Sequence, residues 1–114
     1  MRAIAGVLAF AVGLTGFACA VFARAQGTAD AGRRVYDREK CATCHQIAKR
    51  GNSRYPLDGA GTRLSAEQIR RCHTRPAEME AALPRMPALR MSTMKCRLNP
   101  QELDDLVAYL QSLR

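Results

Sequence analysis

Tryptophan is absent from this chain, and aromatic residues make up only 5% of it. Stretches in which β-branched and polar residues alternate are also scarce, so the usual mark of a half-buried strand is missing. An all-helical domain is the fold class this leaves. Histidine occurs twice only. No Ser/His/Asp set, paired-carboxylate site or phosphate-binding loop can be assembled, and the chain is expected not to be an enzyme. Acidic residues are few, 10 against 18 Lys+Arg, for a formal net charge of +8. No internal repeat and no low-complexity segment is found. At 114 residues there is room for one domain.

What is present begins with an N-terminal address. Arg2 precedes an uncharged apolar run of 19 residues, Ile4 to Phe22, and Ala23-Arg24-Ala25 has the small-x-small form of a cleavage site. The expectation is a signal peptide over residues 1–25 and a mature domain over residues 26–114. Two other readings are an uncleaved membrane anchor, since the run is just long enough to span a bilayer, and a lipid anchor on Cys19. Gly6, Gly13, Gly16 and the Ala-x-Ala site argue for removal. Export points to a periplasmic location, with no membrane span after cleavage. Nucleic acid is then an unsuitable partner for the basic surface, and an acidic protein or an anionic membrane surface is a better one.

The chemistry lies in Cys41-Ala42-Thr43-Cys44-His45. Two cysteines at i and i+3 followed at once by histidine is the form of a c-type haem attachment site. One turn of helix places both sulfurs on one side, where each can form a thioether with a haem vinyl group. The next imidazole can then reach the iron. A redox dithiol or half of a zinc site is the alternative. The dithiol would want a βαβ surround that this chain lacks, and zinc would have to draw on Cys72/His73 and Cys96. The five cysteines then balance in an oxidising compartment. Cys19 leaves with the N-terminal segment, Cys41 and Cys44 hold the haem, and Cys72 pairs with Cys96. Such a bridge would add roughly 3 kcal/mol on the loop-entropy estimate.

Along the domain, Asp30 is expected to cap a first helix that runs toward Cys41, with Gly32 and Tyr36 on one face. Residues 46–61 read as loop. Ser65 and Gln68 form a capping box for a second helix, with Ile69 as its apolar contact and an end before Pro76. A short helix over 76–83 is followed by loop, and the methionines at 79, 86, 91 and 94 all fall between Pro76 and Arg97. Asn99, Pro100 and Glu102 start the last helix, whose face carries Leu103, Leu106, Val107, Leu110 and Leu113.

This order of features resembles class I cytochrome c, the small monohaem carriers of bacterial periplasmic type. The resemblance rests on Gly32-x-x-x-Tyr36, Cys41-x-x-Cys44-His45, Pro56-Leu57, a methionine-bearing loop, and Leu103-Asp104-Asp105-Leu106-Val107-Ala108-Tyr109-Leu110. It implies a small fold of three to five helices around one covalently attached haem c. The first and last helices would cross where Gly32 meets Leu106 or Tyr109. It also implies that the Pro56 carbonyl accepts from the His45 ring and that a methionine sulfur is the second iron ligand. Met91 is the expected one, with Met86 and Met94 as alternatives and Met79 or His73 as remaining donors. The Cys72–Cys96 pair departs from the family pattern and would tether the ligand loop.

The implied function is one-electron transfer between redox proteins. Lys49, Arg50, Arg54 or Lys95 would dock partners with acidic surfaces. The alternatives are a haem subunit fixed in a dehydrogenase or oxidase complex, or a gas-binding or peroxidatic haem protein if no methionine reaches the iron.

Overall fold

The computed structural model describes residues 26–83 and 96–114. The expected signal peptide, Cys19, Lys95 and the candidate ligands Met86, Met91 and Met94 lie outside the described residues. Among the described residues five α-helices carry the fold: α1 (Ala29–Arg38), α2 (Ala60–Arg63), α3 (Ala66–Thr74), α4 (Pro76–Ala82) and α5 (Pro100–Ser112). A 3₁₀ turn, Cys41–Thr43, follows α1. The all-helical expectation holds, with one small ladder among the described residues. Strands β1 (Gln46–Ile47) and β2 (Arg50–Gly51) pair antiparallel across Ala48 and Lys49. Both of these residues have positive φ, 49° and 63°, the backbone of a tight hairpin turn. Among the described residues no helix is long and apolar enough to cross a membrane.

Helix starts follow local chemistry closely. Ser65 and Gln68 exchange both bonds of a capping box at α3, and Asn99 and Glu102 do the same at α5, with Pro100 in its first turn. At α1 the sequence expectation is off by one turn edge. Thr28, not Asp30, is the cap, its hydroxyl accepting from the Ala31 N–H at 3.2 Å. Asp30 lies instead in the first turn, where its charge suits the helix dipole. The choice of Thr28 has a tertiary cause. Its own N–H donates to the Asp105 carboxylate of α5 at 2.9 Å, so the start of α1 is pinned to the last helix.

The core is the seam between the two terminal helices, which pack more extensively than any other pair. Val35 and Tyr36 of α1 meet Leu106, Val107 and Leu110 of α5, with Ile69 of α3 closing the cluster. A Cβ on Gly32 would fall on the Asp105 carbonyl oxygen and crowd the Tyr109 Cβ. The expected glycine contact is therefore with Tyr109 and the Asp105 backbone rather than with Leu106, which is 1% exposed in the seam itself. Tyr36 and Tyr109 meet edge to face beside it, with ring centroids 5.8 Å apart. Two more glycines press on α5: Gly27 on the Asp104 carbonyl and Gly61 on the Gln111 carbonyl. Gly61 also donates to the Leu113 carbonyl at 2.9 Å, so α2 is tied to the end of α5.

Ion pairs lace the same helix. Arg70 of α3 reaches Asp104 at 2.5 Å, and Arg38 of α1 reaches Glu102 at 2.6 Å. The Arg38 guanidinium, and then the Asn99 N–H, hold the Glu102 carboxyl below the usual carboxylate range. A depressed folded-state pKa contributes stability above the unfolded value and loses it as pH falls through the folded one. The melting-temperature gap between wild type and Glu102→Gln is therefore expected to be full at neutral pH and to close in acid. A gap that stays constant down to the acid limit would show that the carboxylate charge is not its source.

Candidate functional site

The site is built at the break after α1. Lys40 takes a left-handed backbone, φ 54°, and turns the chain into the 3₁₀ turn, so that Cys41 and Cys44 stand at its two ends. The Cys44 and His45 N–H groups both donate to the Cys41 carbonyl, at 3.1 and 2.9 Å. That bonding winds the motif into one tight turn and delivers His45 directly behind the second sulfur. Gly51 of β2 lies under it with φ 97°, where a Cβ would strike the His45 carbonyl oxygen. The neighbouring Asn52 N–H donates to that carbonyl at 3.0 Å. This hairpin, in a segment whose composition reads as loop, is thus the support of the histidine.

His45 Nδ1–H donates to the carbonyl oxygen of Tyr55, at 3.2 Å. A carbonyl can only accept, so the proton sits on Nδ1 and the lone pair of Nε2 is left for a metal. The expected acceptor, Pro56, is not the one used. Pro56 bridges Gln46 in parallel register, with the Gln46 N–H on Tyr55 O at 3.2 Å and the Leu57 N–H on Gln46 O at 2.8 Å. The register brings the carbonyl before the proline, not the proline's own, to His45. Burial lowers the affinity of the ring for a second proton, and the charge of His73 acts the same way, against the opposing pull of the Tyr55 carbonyl. A neutral imidazole is the ligand form.

Cys41, Cys44 and His45 face a cavity of about 240 Å³. Its far walls are apolar, formed by Leu57, Leu64, Ile69, Leu83, Leu106 and Leu110. Tyr36 also borders it; its hydroxyl is buried and has no hydrogen-bond partner among the described residues, and burial pushes the phenol up to about 12. These features fit a covalent haem. Two thiols stand at one edge to anchor it, an oriented imidazole can serve its iron, aliphatic walls can cover its faces, and an orphan hydroxyl awaits a polar atom. The zinc alternative finds no support, since no group of three His, Cys, Asp or Glu among the described residues could hold a metal ion.

The second pair of cysteines departs from expectation. Cys72 and Cys96 are free thiols rather than a disulfide, although both line this cavity and a smaller one of about 140 Å³ beside it. The Cys41 side chain, and then His73, hold the Cys96 thiol below its usual range, at about 5. The same contact and burial push the Cys41 thiol up. Of the minor ligand candidates, Met79 is 4% exposed in the core and does not line the cavity, whereas His73 does. The sequence signal for His73 is its i+4 spacing from Ile69 on α3. Lys49, Arg50 and Arg54 are all exposed.

The sequence model of the cytochrome c family matches residues 29–114. No curated protein and no solved structure matches.

Proposed function

The chain belongs to the cytochrome c family, and from that premise we propose that it is an exported monohaem electron carrier whose iron is held between His45 and the sulfur of Met91. The family's cofactor is one covalently bound haem c, and electron carriage by that haem is its chemistry. The single observation that supports the ligand reading most directly is the His45 ring, fixed by the Tyr55 carbonyl with Nε2 left to donate.

When bound, haem supplies the one-electron couple. The residues around it do the rest. Cys41 and Cys44 would hold the ring by its edge, so that it cannot be lost on a change of oxidation state. The Tyr55 carbonyl sets the rotation of His45 and makes Nε2 a better donor. Leu64, Ile69, Leu106 and Leu110 line the cavity and would keep water from a haem held there. A sulfur as sixth ligand raises the reduction potential relative to a second imidazole. On this reading the protein is a carrier and not an enzyme. The periplasmic location rests on the N-terminal pattern of residues 1–25. Docking to acidic redox partners rests on exposed Lys49, Arg50 and Arg54.

Visible spectra of both oxidation states test the ligand assignment. The wild-type ferric protein is expected to show the sulfur-to-iron charge-transfer band, and Met91→Ala to lose it while Met86→Ala and Met94→Ala keep it. A band that survives Met91→Ala moves the sulfur to another methionine. Absence of the band from the wild type removes methionine altogether.

A further inference from the structure

Helix α3 turns one stripe to the haem cavity. Ile69 is buried, and Cys72 and His73, three and four residues on, line the same cavity as His45. The two histidines of the chain therefore converge on one space from different elements. His45 comes from the turn behind Cys44, whereas His73 comes from a helix that packs on α4 and α5. Most of the remaining lining is leucine and isoleucine, and among the described residues Glu39 is the one carboxylate and Lys40 the one lysine that border it. His73 is half-buried, and both it and Cys96 line this cavity and the smaller one beside it.

A surface role does not account for a half-buried imidazole on this wall. Core packing would be served better by the leucine-type residues around it. An imidazole nitrogen is a harder donor than a thioether, and ferric iron is a harder acceptor than ferrous iron, so oxidation favours exchange of sulfur for nitrogen. We propose that His73 is a standby axial ligand, which takes the sixth coordination position of the haem iron, opposite His45, when the methionine sulfur leaves it. The exchange breaks one iron–sulfur bond and forms one iron–nitrogen bond, moves no electron, and leaves the ring proton on the other nitrogen. It rests on the reading of a His45-ligated haem with a methionine sulfur in the resting state. A chain so equipped would stay six-coordinate and closed to small ligands even with its methionine loop displaced.

The test uses the full-length holoprotein with Met86, Met91 and Met94 all changed to alanine, compared with the same protein also carrying His73→Leu. The first is expected to stay low-spin in the ferric state, with the electron paramagnetic resonance signature of two imidazoles, and to resist carbon monoxide when reduced. The second is expected to lose that signature, turn high-spin and bind carbon monoxide readily, with helical circular dichroism unchanged. Added imidazole should restore its low-spin spectrum, which shows that the cavity is intact. The proposal is overturned if the first protein is already high-spin, if its low-spin signal survives His73→Leu, or if it carries a thiolate signature, which would place Cys96 on the iron. The wild-type sulfur band tests the methionine reading and the methionine-free protein tests His73, so either can fail alone.

Discussion

Changing Cys41 and Cys44 together to alanine is expected to abolish covalent haem. In the wild type, haem should stay with the polypeptide through denaturing electrophoresis and acid–acetone extraction; in the double variant all of it should leave. Each single variant should keep one thioether and therefore some bound haem. The reason is placement as much as identity. Of the four described cysteines, all line the cavity, but only Cys41 and Cys44 stand at the two ends of a single turn with His45 directly behind. Cys72 and Cys96 come from α3 and from the segment before α5. Cys72→Ala and Cys96→Ala should accordingly retain full covalent attachment. If either of these removed the haem as completely as the double variant, the attachment site assigned to the 3₁₀ turn would be wrong.

The second large effect is expected at Gly32. Valine there should lower the stability of the domain by about 3 kcal/mol, the upper part of the range for overpacking a close-packed interface. For a domain of this size that is a fall in melting temperature on the order of 15 °C. The Cβ alone would land on the Asp105 carbonyl oxygen, and neither that oxygen nor the Tyr109 Cβ is the free end of a flexible side chain. Helices α1 and α5 must then separate, and the Tyr36–Tyr109 contact and the Leu106 seam open with them. Alanine should do less harm than valine, because its better helix propensity offsets about 1 kcal/mol of the clash. Arg34→Val is the control. Arg34 is exposed on the same helix, and the substitution should cost only about 0.5 kcal/mol in propensity. Equal losses at positions 32 and 34 would mean that the helix contact is not what Gly32 protects. Because Tyr36 and Leu106 also border the haem cavity, the Gly32 variants should show a disturbed haem spectrum at temperatures below unfolding.

The parts of this fold that were legible in advance are those whose physics is local. The capping boxes Ser65/Gln68 and Asn99/Glu102 involve residues three apart on one strand of chain, and both form as expected. The same holds for the apolar stripe of α5 and for the stop before Pro76. The Cys41–His45 motif is local too, since its function depends on one turn of backbone. Misreadings occurred where a distant element cast the deciding vote. Thr28 caps α1 because Asp105, on the far side of the domain in sequence, accepts its N–H. Tyr55 rather than Pro56 accepts from His45 because a parallel bridge to Gln46 sets the register of the segment. A balance of cysteines pairs Cys72 with Cys96, but a count is blind to where a sulfur points, and both are free thiols in the fold.

By itself, the amino-acid sequence determined that this is a small helical chain with a haem attachment motif and one imidazole placed to follow it. Spacing along the backbone suffices for that, because a single turn fixes the relative positions of residues 41, 44 and 45. The tertiary structure alone decided which carbonyl orients that imidazole, which backbone oxygen Gly32 must clear, and that the second histidine shares the cavity of the first. Those outcomes depend on how α3 and the residue 46–56 segment come to rest around the Tyr36–Leu106 seam. Contacts between elements far apart in the chain are set by the packing of whole faces, and no short stretch of residues encodes them.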